Sequence, residues 1–307
     1  MKICIFDSWN GKFSQAIREH WESLGHEVVF NGQYNIPADV AFFYQSDNAA
    51  QVGVKESLAN RIYTQCVDIE VWAGQPFGID WSKVSGCFFM AQHIKDYVES
   101  KAQFPHNFRT ALIKPGIDLN KFTLKKTPIN NIRKIAYVVG NNRIWDVKRF
   151  DIALWLLRDL MTLTNQPWEL HVRGTYSGHI QYNDYCEHLI ENLELENNIV
   201  WYRDRVEDLN QWLEDKDYFF LSSTKEAFSY ATAEAMAKGI KPVLGNWRGA
   251  SETWGPFYCK TYKEMLETFL NSKYEPEKYR DYVSQHYNQE RYFSDLDKFM
   301  LGGEHNE

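Results

Sequence analysis

The chain has 307 residues, 44% of them hydrophobic and 24% charged, so it can form one large or two ordinary domains and is not a disordered protein. The formal net charge is −7, and neither half carries the basic excess expected of a protein held to nucleic acid mainly by phosphate contacts. The five cysteines include no C-x-x-C pair, and neither a signal segment nor a run of 18 apolar residues occurs. We therefore expect buried, reduced thiols in a cytoplasmic protein without an integral membrane segment.

The first third of the chain alternates strand and helix patterns. Lys2–Phe6 is an apolar run of strand length, a Gly-containing turn follows over residues 7–11, and apolar residues then recur at helical spacing as far as Leu24. A second strand, Glu27–Phe30, completes a βαβ unit, which predicts a parallel sheet. Further strands are predicted at Asp39–Tyr44, Arg61–Val67, Gly86–Met90 and Thr110–Ile113.

A polar, basic stretch over residues 118–133 interrupts the alternation and indicates a linker. The alternation then restarts, with strands predicted at Lys134–Val139, Trp168–Arg173, Ile199–Tyr202, Tyr218–Leu221 and Lys241–Leu244, and helices at Phe150–Met161, Asn183–Leu193, Val206–Leu213 and Tyr230–Lys238. The pattern predicts an α/β protein with two Rossmann-like domains facing across a cleft, over residues 1–125 and 126–285. A helical tail over residues 286–307 follows, for which a return to the N-terminal domain is one option.

The segment Ser223–Gly239 carries the strongest candidate site. It follows a buried strand and places Glu226 in a turn and Glu234 inside an Ala-rich helix. A carboxylate in the turn can meet a bound sugar, and one inside the helix can accept hydrogen bonds from ribose hydroxyls. The helix N-terminal amides around Phe228, Ser229 and Tyr230 can bind a diphosphate or a sugar hydroxyl. On spacing alone, solvated surface carboxylates are the alternative interpretation.

The same segment resembles the signature of the family 4 glycosyltransferases, retaining enzymes with the GT-B fold. Ten residues of this chain match that pattern, namely Ser223, Glu226, Phe228, Glu234, Ala235, Met236, Ala237, Gly239, Pro242 and Val243. The resemblance implies a catalytic position for Glu226 facing the donor sugar and a donor-binding position for Glu234 on the nucleotide ribose. Ala227 and Ser229 replace two of the family's glycines.

Two further segments support the resemblance. Gly140–Leu154 is similar to the family segment whose Arg and Lys clamp the donor diphosphate; Arg143, Lys148 and Asp151 match it, while Asn142 and Arg149 stand where Gly is usual. Fixed cations stabilise the charge that develops on a nucleoside diphosphate leaving group. Leu112–Phe122 resembles the family's hinge and packing motif at the end of the N-terminal domain.

Weaker candidates lie elsewhere in the chain. Gly11, in the first βα turn, is either a donor-phosphate contact or a simple tight turn, and Asp68 is a second catalytic candidate because it follows a strand where many family members carry a His-Asp pair. Glu252 is a further candidate neighbour of the donor, for which a plain surface position is the favoured interpretation. Asp215-Lys216-Asp217 and Asp295-Leu296-Asp297 both read D-x-D, and we interpret both as surface charge without metal.

The resemblance implies transfer of a sugar from a nucleotide-diphosphate sugar with retention of anomeric configuration. No cofactor or metal is expected, because Arg143 and Lys148 would neutralise the diphosphate. The acceptor is left open between a glycan or glycolipid and a hydroxymethylated DNA base, the substrate of small phage glycosyltransferases. A nucleotide-binding α/β protein without transfer activity is a further alternative. An NAD enzyme would need G-x-G-x-x-G after its first strand, which this chain lacks.

Overall fold

The structure is a computed structural model that describes residues 1–11, 13–127, 129, 131–144, 146–176, 179–203, 208–271 and 273–302. For residues 140–144 and 271 it describes the backbone alone. The chain divides into two compact units: unit 1 combines Met1–Gly116 with the segment from Gln289 onward, and unit 2 is Ile117–Asn288. The chain thus leaves unit 1 once and returns to it.

The strands of the described residues are short and mostly apolar. They are β1 (Lys2–Phe6), β2 (Glu27–Phe30), β3 (Ala38–Phe43), β4 (Ala59–Cys66), β5 (Gly86–Phe89), β6 (Thr110–Leu112), β7 (Arg133–Ile144), β8 (Trp168–Tyr176), β9 (Ile199–Tyr202), β10 (Tyr218–Leu221) and β11 (Lys241–Leu244). Five of them, β1, β2, β9, β10 and β11, have the bounds predicted from the sequence, because each is an apolar run ended by polar or turn-forming residues. β7 and β8 extend further than predicted.

Helices connect most of the described strands. They are α1 (Gln15–Ser23), α2 (Asn48–Glu56), α3 (Ile69–Trp72), α4 (Gln92–Glu99), α5 (Phe150–Thr164), α6 (Ile180–Asn192), α7 (Leu209–Trp212), α8 (Tyr230–Ala237), α9 (Ala250–Trp254), α10 (Tyr262–Asn271), α11 (Pro276–His286) and α12 (Gln289–Met300). The last four, α9 to α12, follow β11 with no described strand between them. The helix predicted over Val206–Leu213 is observed as α7, with residues 204–207 outside the described part. No helix in the described residues has the length and apolar character needed to cross a membrane.

Each unit contains one parallel sheet, as the sequence predicts. The strand order is β2-β1-β3-β4-β5-β6 in unit 1 and β11-β10-β7-β8-β9 in unit 2. All residues of β5 and β10 are buried, as is typical of parallel strands covered by helices on both faces. The order reverses between β1 and β3 in the first sheet and between β7 and β10 in the second, and such reversal points are where open parallel sheets bind ligands beyond their strand ends.

The last helix completes the core of unit 1. Tyr292, Leu296, Phe299 and Met300 of α12 are buried in one cluster with residues of β1, α1, β3 and β5. Asp297 anchors this helix, because its carboxylate accepts hydrogen bonds from Trp21 Nε1 at 2.8 Å and pairs with His20 Nε2 at 2.9 Å. The interpretation of Asp297 as plain surface charge was therefore wrong.

The other D-x-D triplet is also structural. Lys216 and Asp217 are buried, at 1% and 0% exposure, so their interpretation as surface charge was wrong as well. Asp217 accepts from Lys125 Nζ at 3.2 Å and from the Lys134 amide at 3.0 Å. Two buried charges are tolerated here because each has an ionic or hydrogen-bonding partner.

The segment predicted as a linker belongs to unit 2 and is hydrogen-bonded to other parts of it. The Lys125 amide donates to the Lys238 carbonyl at 3.0 Å. The Arg280 guanidinium of α11 donates to the carbonyls of Phe122 at 2.5 Å and Leu119 at 2.9 Å. A polar composition alone suggested a free connection, whereas these backbone groups are paired.

Candidate active site

The two motif segments of unit 2 lie together at the carboxyl ends of β7 and β10, where the strand order reverses. The loop after β10 is tied to the loop after β7, because the Thr224 amide donates to the Val147 carbonyl at 2.8 Å. The Ser222 hydroxyl contacts the carbonyls of Lys148 at 2.8 Å and Arg149 at 2.9 Å. These bonds fix the backbone that carries Lys148 relative to the loop that carries Glu226.

Lys148 and Glu226 form an ion pair at this edge of the sheet. Lys148 Nζ contacts Glu226 Oε1, and the same oxygen accepts a hydrogen bond from the Ser223 hydroxyl at 2.7 Å. The two side chains keep only 21% and 11% of their surface exposed, so the pair is largely shielded from water. A fixed cation next to a fixed carboxylate can bind a phosphate group and a sugar hydroxyl side by side.

Two positions of this loop pair have left-handed backbone, and both lie where the resemblance expects glycine. Arg149 has φ of 54° and Ser229 has φ of 74°. Residues other than Gly adopt this conformation at an energetic cost, which tertiary contacts must offset. Ser229 is the N-cap residue directly before α8, and its hydroxyl lies 2.8 Å from that of Thr232. The left-handed backbone is thus present at both positions although neither residue is glycine.

Arg149 is held by a carboxylate. Its guanidinium contacts Asp151, with Nη2 to Oδ2 at 2.9 Å, and the Tyr182 hydroxyl donates to the other Asp151 oxygen at 2.8 Å. Burial raises the pKa of Asp151, but the hydrogen bonds from Arg149 and Tyr182 outweigh it, so the pKa lies below its ordinary value. This anchored ion pair stabilises the left-handed turn before α5.

The remaining donor-site candidates of unit 2 differ in burial and in whether the structure describes their side chains. Phe228 is buried, stacked on Trp254 with ring centroids 5.3 Å apart, so only its backbone is available to a ligand. Tyr230 is half-buried at the start of α8, and Glu234 is half-buried in the second turn of that helix. Arg143 has its backbone in β7, paired with Thr175, while its side chain lies outside the described residues.

In unit 1, Gly11 belongs to a turn organised by Asp7, a residue that the sequence analysis missed. The buried Asp7 carboxylate accepts from the amides of Trp9 at 2.7 Å and Gly11 at 3.1 Å. It also accepts from Gln45 Nε2 at 3.0 Å, which joins the carboxyl ends of β1 and β3. Gly11 has φ of 85°, so the turn requires the conformational freedom of glycine. An Asp directly after the first strand was the available signal.

Asp68 lies between β4 and α3, and its neighbour Glu70 is a second missed residue. Trp72 Nε1 donates to Asp68 Oδ1 at 2.6 Å. The Glu70 carboxylate accepts from the amides of Val67 at 2.5 Å and Asp68 at 3.3 Å. Burial raises the pKa of Glu70 to about 7, against the lowering effect of these amides. Glu70 therefore fixes the turn that presents Asp68.

A cavity of about 450 Å³ lies elsewhere in unit 2, at the amino end of β11. It is lined by Lys241, Phe257, Cys259 and Tyr279 among others. Burial lowers the pKa of Lys241 to about 8. The motif residues lie at the opposite ends of the strands, so this cavity does not belong to the candidate active site.

Comparison with known proteins identifies the class. Residues 120–290 match the family described as glycosyl transferases group 1. A glycosyltransferase from Rickettsia africae ESF-5 has a similar structure, with TM-score 0.75 and 15% identity over 99% of both chains. Anabaena Alr3699/HepE in complex with UDP and glucose has TM-score 0.75 and 16% identity over 97% of this chain and 98% of that one. The lipopolysaccharide outer core galactosyltransferase WaaB has TM-score 0.66 and 14% identity over 97% and 98%.

The fold is therefore the GT-B fold, with two Rossmann-like domains, as the sequence predicted. The chain belongs to the glycosyl transferases group 1 family and is a glycosyltransferase. The alternative of a nucleotide-binding protein without transfer activity is set aside. A comparison with curated proteins finds no match.

Proposed function

We propose that this enzyme transfers a sugar from a UDP-sugar to a glycan or glycolipid, with retention of the anomeric configuration. The contact between Lys148 and Glu226 at the strand-order reversal of unit 2 is the observation that carries the proposal. The choice of UDP rests on the Anabaena structures, whose complexes contain UDP, UDP-glucose, or UDP and glucose.

In this proposal the donor lies along the carboxyl edge of the second sheet. Lys148, together with Arg143, binds the diphosphate, and the backbone amides at Phe228, Ser229 and Tyr230 add neutral donors at the start of α8. Glu234 binds the ribose hydroxyls and Glu226 a hydroxyl of the transferred sugar. These cations supply the charge that a divalent metal would otherwise provide, so the reaction needs no metal.

Transfer then proceeds on one face of the sugar. The acceptor oxygen forms a bond to the anomeric carbon while the bond from that carbon to the diphosphate oxygen breaks, and the acceptor proton passes to a donor phosphate oxygen. Attack from the leaving-group face retains the configuration. Lys148 stabilises the charge that develops on the diphosphate, which is the step where a fixed cation lowers the barrier most. Asp68 and the Gly11 turn of unit 1 are proposed to meet the acceptor and the donor phosphates, respectively.

The donor assignment can be tested by thermal stabilisation and by slow hydrolysis of UDP-, GDP- and ADP-sugars. UDP-sugars should raise the melting temperature of the wild type and of Lys263→Ala, a control whose lysine is 84% exposed in unit 2. The shift should be lost in Lys148→Ala. If no nucleotide-sugar stabilises the wild type, the proposal fails. NMR of the anomeric proton in the product tests retention, and activity unchanged by EDTA tests metal independence.

A hydroxymethylated DNA base is the second candidate acceptor. The compact N-terminal unit is compatible with it, whereas the net charge of −7 disfavours binding to a polyanion. The two acceptors are separated by measuring sugar transfer to a DNA duplex with a hydroxymethylated base and, under the same conditions, to glycans.

A further inference from the structure

Three aromatic rings form a cluster at the carboxyl edge of the first sheet, which we call the ring platform: Trp72, Phe77 and Tyr97. Trp72 ends α3, which follows β4, and Tyr97 lies in α4, which follows the neighbouring strand β5. Tyr97 is the central ring, with centroids 4.8 Å from Trp72 and 6.2 Å from Phe77. The platform therefore lies at the end of the sheet where ligands bind in parallel α/β folds.

The platform is open to solvent. Phe77 is 37% exposed, and Ile69, in the same helix as Trp72, is 49% exposed, while Trp72 and Tyr97 are half-buried. Hydrophobic side chains of this size leave water when they can, so a clustered exposed set indicates a binding surface more strongly than single exposed residues do. Flat rings with an accessible edge or face are suited to the C–H faces of a sugar.

Two charged side chains contact the rings, the Asp68 carboxylate and the Lys101 ammonium. Trp72 Nε1 donates to Asp68 Oδ1, so this ring is fixed beside a carboxylate. Lys101 Nζ lies 4.9 Å from the Tyr97 ring centroid. Carboxylates accept hydrogen bonds from hydroxyl groups, whereas they repel the phosphates of a nucleic acid backbone.

We propose that the ring platform binds the acceptor and that this acceptor is a carbohydrate, either free or as the glycan part of a larger molecule. The inference rests on the proposed function, because only a sugar-transferring enzyme needs an acceptor here. Trp72 and Phe77 stack on the sugar rings, and Asp68 accepts hydrogen bonds from their hydroxyl groups. Asp68, the second catalytic candidate of the sequence analysis, is thus also an acceptor-binding residue in this proposal.

The test uses saturation-transfer NMR on the full chain with maltotriose, chitotriose and lactose as probes. A 20-base-pair duplex containing hydroxymethylcytosine is examined in parallel by gel shift. The variants are Trp72→Ala and Phe77→Ala, and the control is Trp155→Ala, whose ring is 42% exposed on α5 of unit 2. Thermal stabilisation by UDP-glucose is measured for every protein, because none of the three platform rings is among the residues proposed to bind the donor.

At least one sugar should give a signal with the wild type and with Trp155→Ala. Its dissociation constant should rise at least tenfold in both platform variants while the UDP-glucose shift stays unchanged. Phe77→Ala alters an exposed side chain, so it remains informative if Trp72→Ala fails to fold. Equal sugar binding in the variants, no sugar signal with the wild type, or duplex binding that the same substitutions weaken would each overturn the inference. If UDP-glucose does not raise the melting temperature of the wild type, the result counts against the proposed function instead.

Discussion

Lys148 and Glu226 are in contact although 78 positions separate them in the chain. The contact joins the loops after β7 and β10, the strands at which the order of the second sheet reverses. A lysine that is neutralised by a carboxylate attracts a phosphate less strongly than a lysine alone. In the proposed function, the ion pair therefore lowers the affinity for the nucleotide and keeps Glu226 oriented for the sugar.

Replacing Glu226 with Gln should therefore separate nucleotide binding from transfer. We expect Glu226→Gln to tighten UDP binding about fivefold, corresponding to roughly 1 kcal/mol, because Lys148 loses its competing partner. The kcat for transfer should fall about a hundredfold, because the substitution alters the group that is proposed to interact with the sugar in the transition state. Calorimetry with UDP and steady-state kinetics measure the two effects. Glu252→Gln, at an exposed position, is the control; unchanged or weaker UDP binding in Glu226→Gln would contradict the prediction.

Ser229 should tolerate glycine better than other helix-associated serines do. Because its φ is 74°, Ser229→Gly should raise the free energy of unfolding by about 1 kcal/mol. Ser251→Gly, on the exposed side of α9, should lower it by about 0.5–1 kcal/mol, since glycine disfavours ordinary helical backbone. Urea unfolding of both variants gives the comparison, and a shift of the same sign in both would show that the left-handed backbone is not the cause.

Glu70 should make stability depend on pH. Its pKa rises from 4.5 to about 7 on folding, so the protonated form is favoured in the folded protein. The stabilisation is fully present below pH 4.5 and is lost as the pH rises through 7, a change of roughly 3 kcal/mol. Glu70→Gln should flatten this part of the stability curve, while Glu187→Gln, at an exposed position, should leave it as in the wild type. Denaturant unfolding between pH 4.5 and 8 measures these free energies of unfolding. If the free energy of Glu70→Gln depends on pH in the same way as that of the wild type, Glu70 does not titrate in this range.

The two aspartates of the second D-x-D triplet should differ in their effect on folding. Asp297→Asn weakens the anchor that α12 makes to His20 and Trp21 and should destabilise the protein by about 1–3 kcal/mol. Asp295→Asn affects only a surface pair with Arg291, at 3.8 Å, and should cost less than about 1 kcal/mol. Unfolding monitored by circular dichroism tests this, and equal losses would argue against the anchor.

The sequence predicts the sheets well and the polar contacts poorly, for a physical reason. β10, YFFL, is an apolar run that only a buried strand can accommodate, and its bounds follow from its composition. The burial of Asp217 does not follow in this way, because its partners Lys125 and Lys134 lie 92 and 83 positions away. A charged residue becomes a core residue only through partners that the fold brings to it.

The candidate site shows the same limit. Its location followed from the motif residues Lys148 and Glu226, but their pairing depends on two loops that meet only in the folded chain. The left-handed conformation of Arg149 could be suspected only from the glycine expected at that position. Glu70 gave no signal, because its role depends on burial and on two backbone amides rather than on a motif.

The return of α12 to unit 1 has a consequence for how the protein is made. Chains emerge from the ribosome N-terminus first, and domains commonly fold in that order. Here the hydrophobic core of unit 1 stays incomplete until Tyr292–Met300 has emerged, whereas every strand of unit 2 precedes that point. The later-encoded half can thus reach its native state first, and the nascent first half must remain unaggregated with its α12-binding surface uncovered until translation nears residue 300.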